Sequence, residues 1–151
     1  MNLRIIQLGI EHTDACIELD QKSLKGLWTR SQWEKELSDP MRVCFGVSDH
    51  GNNSLIGICS SWLAFDELHL TSIAVHPFYQ RRGIAKFILS ELIRHSESKK
   101  IKLIHLEVKE KNVPAKALYK SMGFKVKRKR SNFYKDGSNA LVFVKELIYE
   151  S

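Results

Sequence analysis

Gln80-Arg81-Arg82-Gly83-Ile84-Ala85 is the stretch on which the reading of this chain turns. It follows the apolar run Leu70-Thr71-Ser72-Ile73-Ala74-Val75 and precedes a helical pattern from Ala85 to His95. A strand that turns through glycine into a helix leaves the first helical N–H groups without intrahelical acceptors, and an anion can sit there. Arg81 and Arg82 add charge-assisted donors suited to phosphate oxygens. The small residues Gly83 and Ala85 let a ligand approach the backbone closely. The turn therefore predicts a phosphorylated ligand.

Working outward, Leu3 to Leu8 reads as a strand and Glu11 to Ser23 as an amphipathic helix with Ala15, Cys16 and Leu19 on one side. Ser31 is the expected N-cap of a short helix through Leu37, stopped by Asp39-Pro40. Val43–Val47 and Leu55–Phe65 read as strands around the turn Asp49-His50-Gly51-Asn52-Asn53, and Leu68–Val75 as a third, ended by Pro77. The helix after Gly83 presents Ile84, Phe87, Ile88, Leu92 and Ile93 as its apolar face. Lys102–Val108 is a strand with Ile104, Leu106 and Val108 on one face and Leu103, His105 and Glu107 on the other.

Asn112 is the expected N-cap of the next helix, Pro114 fits its first turn, and Gly123 suits its C′ position. Ala115, Leu118, Tyr119 and Met122 form its buried stripe. Phe124–Arg130 and Ala140–Leu147 complete the strands, joined by a loop around Lys135-Asp136-Gly137. The order is βααβββαβαββ, an α/β fold in which helices cover a mixed sheet. No repeat or linker divides the 151 residues, so residues 1–151 are expected to form a single domain.

No window approaches the roughly 18 apolar residues of a membrane span, and Met1 to Ile6 lacks the apolar core of a signal peptide. Cys16, Cys44 and Cys59 are widely spaced in apolar contexts, which predicts buried free thiols and a reducing, cytoplasmic setting. The net charge of +7 gathers between Lys99 and Lys129, and Lys125-Val126-Lys127-Arg128-Lys129-Arg130 is its densest run. Such a run fits an anionic partner, and equally a solvated strand with basic side chains turned outward.

The common nucleotide signatures are absent: there is no G-x-x-x-x-G-K-[ST] and no G-x-G-x-x-G. The six histidines show no paired ligand spacing, so no metal is expected. What matches is a whole arrangement. Ile73-Ala74-Val75, the Gln80–Ala85 turn, Leu106-Glu107-Val108, Asn112 and Ala117-Leu118-Tyr119-Lys120-Ser121-Met122-Gly123-Phe124 together resemble the GNAT superfamily of N-acetyltransferases. Within it they are most similar to the ribosomal-protein-alanine N-acetyltransferase (RimI) group. The resemblance is close from about Asp66 to Tyr134.

It implies a mainly antiparallel sheet flanked by helices, and acetyl-CoA as co-substrate. The pyrophosphate would rest on the backbone N–H groups of Arg81, Arg82, Gly83, Ile84, Ala85 and Lys86. Ile73, Ala74 and Val75 would contact the acetyl and pantetheine parts, with Asn112 also touching CoA. It implies Glu107 as general base, Tyr119 as general acid and the Val75 N–H as oxyanion donor. The implied acceptor is a protein N-terminal α-amine, with ribosomal protein as the example.

The chemistry of these residue types is consistent with those roles. A glutamate near pKa 4.3 is a weak match for an ammonium near 8, so Glu107 is expected to need desolvation or a relaying water. Beside it, Lys109 offers an ordinary ion-pair partner. A phenol near pKa 10 stays protonated and can supply a thiolate with its proton. Deprotonating an α-amine is easier than deprotonating lysine by about 3 kcal/mol, from roughly 2.5 pK units.

Asn132-Phe133-Tyr134 resembles the N-Y-Y segment of the group with Phe133 in place of tyrosine, and Asn139-Ala140 stands where Asp-Ala is common. Both departures bear on the acceptor. Trp28 and Trp33 flank the region where the family covers its acceptor, and core packing accounts for them equally. A small-molecule amine or an internal lysine remains an alternative acceptor. A further alternative is a ribosome- or nucleic-acid-binding module acting through Lys125–Arg130.

Overall fold

In the computed structural model, residues 2–49 and 54–147 are described. They form β1 (Leu3–Gln7), α1 (Thr13–Ser23), α2 (Arg30–Ser38), β2 (Arg42–Asp49), β3 (Leu55–Ala64) and β4 (Glu67–Val75). After these come α3 (Ile84–Ser98), β5 (Leu103–Lys109), α4 (Val113–Ser121), β6 (Lys125–Arg130) and β7 (Ala140–Glu146). The order is the one read from the sequence. Most of the expected turn at 49–53 lies outside the described residues. No helix among the described residues is long and apolar enough to cross a membrane.

The strands make one sheet in the order β1-β2-β3-β4-β5-β7-β6. Every pairing is antiparallel except β4 with β5. That parallel pairing follows from the intervening α3, since parallel neighbours need a crossover. Two apolar layers cover the sheet. On one face Ile84, Ile88, Leu89 and Leu92 of α3 pack against Val43, Phe45, Val47, Leu68 and Ile104. On the other, Cys16 and Leu19 of α1 and Trp33 and Leu37 of α2 pack with Cys44, Ile58 and Ala74. Gly57 permits the first layer: a Cβ there would stand 2.8 Å from Ile88 Cδ1 and 2.9 Å from Ile84 Cγ2. α3 therefore begins tight against β3.

Three local expectations change. The N-cap of α2 is Thr29 rather than Ser31: the Thr29 hydroxyl accepts from the Gln32 N–H, and the Gln32 side chain returns to the Thr29 N–H. This reciprocal box begins the helix two residues earlier. α3 runs past His95 to Ser98 and buries Leu89 fully, while Phe87 and Ile93 are only half-buried. Trp33 is 1% exposed in the core, and Trp28 meets it edge-on at 4.6 Å, so core packing accounts for both.

Candidate active site

β4 and β5 stay together for only three rows, Glu67 with Leu103, Leu68 with Ile104 and His69 with His105. Beyond them the strands part. β4 is diverted because the register with β3 slips between Ser60 and Ser61, leaving Thr71 as an extra residue. A bulge of this kind bends its strand. The Thr71 hydroxyl fixes the bend by donating to the Ser60 carbonyl at 2.9 Å. β5 keeps its full pairing with β7, so the gap opens on the β4 side.

The backbone groups facing the gap follow from register. The His76 N–H donates to the Ile56 carbonyl at 2.8 Å. Bonded and non-bonded pairs alternate along an antiparallel ladder, so Val75 with Gly57 and Ile73 with Cys59 are non-bonded pairs. The N–H groups of Ile73 and Val75 therefore point away from β3 and into the gap. Ala74 differs: its backbone faces Ile58, and its side chain is buried on the α1–α2 face. The Val75 carbonyl accepts from Gln80 Nε2 at 3.2 Å.

The Gln80–Ala85 turn sits at the end of β4. Arg81 and Gly83 both adopt positive φ, 63° and 81°. Gly83 is the N-cap of α3 and provides no side-chain cap, so the N–H groups that open this helix have no intrahelical acceptor. A Cβ on Gly83 would meet no protein atom within 4 Å, which marks open space above the turn. The Arg82 guanidinium lies 5.5 Å over the Tyr79 ring and is thereby held at the turn. This is a bare helix start with clear access, as an anion requires.

A cavity of about 460 Å³ occupies the gap. Glu107, Asn112, Tyr119 and Ile73 all line it. Asn112 caps α4, its Oδ1 accepting from the Ala115 N–H at 3.2 Å. Tyr119 is 6% exposed, its ring set against Phe124 and Phe143, and burial pushes its hydroxyl up to about 12. It stays protonated throughout the neutral range. Leu24 and Leu27 from the α1–α2 loop and Tyr134 from the β6–β7 loop also line the cavity.

Glu107 departs from expectation. Its partner is not Lys109, which reaches Asp136 at 3.2 Å and the Tyr134 ring at 5.2 Å. Glu107 Oε2 instead lies 2.7 Å from His69 Nε2. That hydrogen bond holds the carboxyl below the ordinary glutamate value, outweighing burial; His69, His105 and Arg130 add to the effect. Desolvation therefore does not make it a stronger base. The cause is a neighbour 38 positions away, which no local pattern reveals.

His69, His105 and Glu107 are the group of three among the described residues whose donor atoms fall within 4.8 Å of one another. The two imidazoles stack at 4.5 Å and 3°, so their in-plane lone pairs lie in separate parallel planes and do not converge. His69 Nε2 is also taken by the carboxylate. As placed, the arrangement is a hydrogen-bonded stack.

Sequence reading missed Asp20. It is 1% exposed and accepts from the Leu27 N–H at 2.8 Å, the Trp28 N–H at 3.1 Å and Trp33 Nε1–H at 2.9 Å. One carboxylate thus ties the cavity-lining loop to the core. The available signal was an acid beside Leu19 and close to the apolar stripe of α1. Asn139, where an acid was expected, accepts from the Asn132 N–H at 3.0 Å and shapes the β6–β7 loop. Phe133 is partly exposed, with its ring against Tyr134 and beneath the Arg130 guanidinium.

Comparison with known proteins names the class. The family model of the acetyltransferase (GNAT) family matches residues 10–124. The chain belongs to the acetyltransferase (GNAT) family, and it is an N-acetyltransferase. It is similar to the ribosomal protein bS18-alanine N-acetyltransferase of Escherichia coli (strain K12), 36% identical over 128 residues that cover 83% of this chain and 84% of the relative. The crystal structure of the ribosomal-protein-S18-alanine N-acetyltransferase from Escherichia coli superposes with a TM-score of 0.88 at 26% identity, covering 99% of this chain and 96% of that one. Arabidopsis thaliana NAA60 in complex with acetyl-CoA shares the fold, with a TM-score of 0.85 at 17% identity over 97% and 99% of the two chains.

Proposed function

We propose that the protein, working as one acetyltransferase domain, transfers an acetyl group from acetyl-CoA to the N-terminal α-amine of a protein, with ribosomal protein as the model acceptor. The observation that carries this reading is the convergence of Glu107, Tyr119, Asn112 and the Ile73 strand edge on one cavity. The named activity of the bacterial relatives supports an alanine N-terminus.

The open turn at Arg81–Lys86 fits the pyrophosphate, and the unpaired Ile73 N–H fits an amide carbonyl of an extended pantetheine. Ala74 contributes shape through its short side chain, its backbone being turned to β3. Acetyl-CoA supplies the activated thioester. Glu107 accepts a proton from the acceptor amine, the Val75 N–H donates to the carbonyl oxygen as negative charge develops, and Tyr119 delivers its hydroxyl proton to the leaving sulfur. Transfer is direct: Cys16, Cys44 and Cys59 are buried, and burial drives the first and last up to about 12, far from a thiolate nucleophile.

Thiol release from acetyl-CoA is the test, with matched peptides carrying free or blocked N-termini. Acetylation of free N-termini is expected, and acetylation of blocked peptides alone would point to internal lysine. Glu107→Gln and Tyr119→Phe are expected to lower turnover by about 10²-fold each with acetyl-CoA affinity nearly intact.

Every residue of β6 is exposed, and Lys125, Lys127, Arg128, Lys129 and Arg130 lie along this sheet edge. Charge blunts an open edge against pairing, and the same strip is suited to docking on ribosomal RNA. Charge reversal there is expected to flatten the salt dependence of ribosome binding; an unchanged slope rejects docking.

A further inference from the structure

From the last row that joins β4 to β5, His69 reaches Glu107 two residues beyond its register partner, at the point where the gap begins. A ring nitrogen 2.7 Å from a carboxylate oxygen needs a proton between them, because two lone pairs at that distance repel. With Glu107 held as the anion, the proton belongs to the imidazole, and Nε2–H donates to Oε2. The carboxylate then has one oxygen fastened and the other available, and Glu107 also lines the cavity. His69 does not line it and acts through Glu107.

His69 is itself held. His105, its register partner, stacks on it, and on the other side Trp62 of β3 is its strand partner. The charged and titratable groups around this stack are Glu67 on β4, His105 and Glu107 on β5, and Lys127, Arg128 and Arg130 on β6, with the Tyr134 hydroxyl beyond Glu107. Burial and the neighbouring His69 lower His105 from its ordinary value.

We propose that His69 is the positioning residue of the general base: its Nε2–H fastens one Glu107 carboxylate oxygen and so aims the other at the acceptor amine. The inference rests on the assignment of Glu107 as base. The proton balance is simple. The acceptor begins as R–NH₃⁺ and ends as R–NH–acetyl, so two protons leave it. One of them restores to Tyr119 the proton that its hydroxyl gives to the CoA sulfur, and the other passes through Glu107 to solvent.

Steady-state thiol release with acetyl-CoA and a peptide bearing N-terminal alanine tests this, with acetyl-CoA binding as the check on folding. Glutamine keeps an N–H donor where alanine has none. His69→Ala is expected to lower kcat/KM by about tenfold through kcat, and His69→Gln to recover most of that loss.

Glutamine no better than alanine would overturn the role of His69 while leaving Glu107 as base. Full activity in Glu107→Gln would overturn the base assignment and this inference together.

Discussion

Replacing Asp20 tests how the Leu24–Leu27 wall of the cavity is held. Its carboxylate receives three donors, and they differ in what they lose. Trp33 Nε1–H is buried, and leaving it unsatisfied costs about 1–3 kcal/mol. The Leu27 and Trp28 N–H groups are half-buried and can regain water, so each loses only about 0.5–1.5 kcal/mol. Asp20→Ala should therefore cost about 2–6 kcal/mol, a large part of the roughly 5–15 kcal/mol of a typical domain. Asp20→Asn is the sharper variant. An amide presents one oxygen and one NH₂, so whichever way it turns, at least one of the three donors faces another donor. The expected cost is about 1–3 kcal/mol. Urea unfolding reads this as a fall in midpoint at unchanged slope, on the order of 1 M for 2 kcal/mol. In kinetics, KM for the acceptor peptide should rise as Leu24 and Leu27 loosen, with acetyl-CoA affinity held. A stability equal to wild type in Asp20→Asn, or an equal loss of acetyl-CoA affinity, refutes the reasoning.

Gly83→Val is expected to leave the fold largely intact, because no protein atom lies within 4 Å of the added Cβ and the strain at φ 81° is about 1–2 kcal/mol. Acetyl-CoA affinity, measured by calorimetry, should fall more than about tenfold, since the side chain projects where the ligand approaches. Arg82→Ala should weaken the same binding more at low salt than at high. For pH, the folded protein holds His105 below its unfolded value. Unfolding therefore takes up a proton, and the contribution is present above about pH 6.5 and lost as pH falls from there toward the folded value. His105→Phe should accordingly lose less stability than wild type between pH 7 and 5 by urea midpoint.

The parts of this protein legible in its sequence are those governed by period and turn chemistry. Alternation on β5 separated Ile104, Leu106 and Val108 from His105 and Glu107, and burial follows that division. Asn112 and Pro114 marked the start of α4, and Gly83 the start of α3. The α2 cap was misplaced because Thr29 and Ser31 are both acceptable caps, and only the Gln32 return bond decides between them. The resemblance pointed to Glu107 and Tyr119, which the fold brings to one cavity. Their environments were illegible because they are made by distant neighbours. His69 reaches Glu107 only through the parallel register of β4 and β5. Asp20 looks like a surface residue of an amphipathic helix until the loop seven and eight residues later folds back onto it.

The three-row junction between β4 and β5 has a mechanical meaning. β1 to β4 form one half of the sheet and β5, β7 and β6 the other, and beyond His69 no strand-to-strand hydrogen bond joins them among the described residues. A ligand lying along the gap would act as a missing strand, offering acceptors to the Ile73 and Val75 amides and bracing the halves. The donor substrate then doubles as a structural brace. Free enzyme should open along this seam first, and the cellular supply of donor would set how long the protein survives as well as how fast it works.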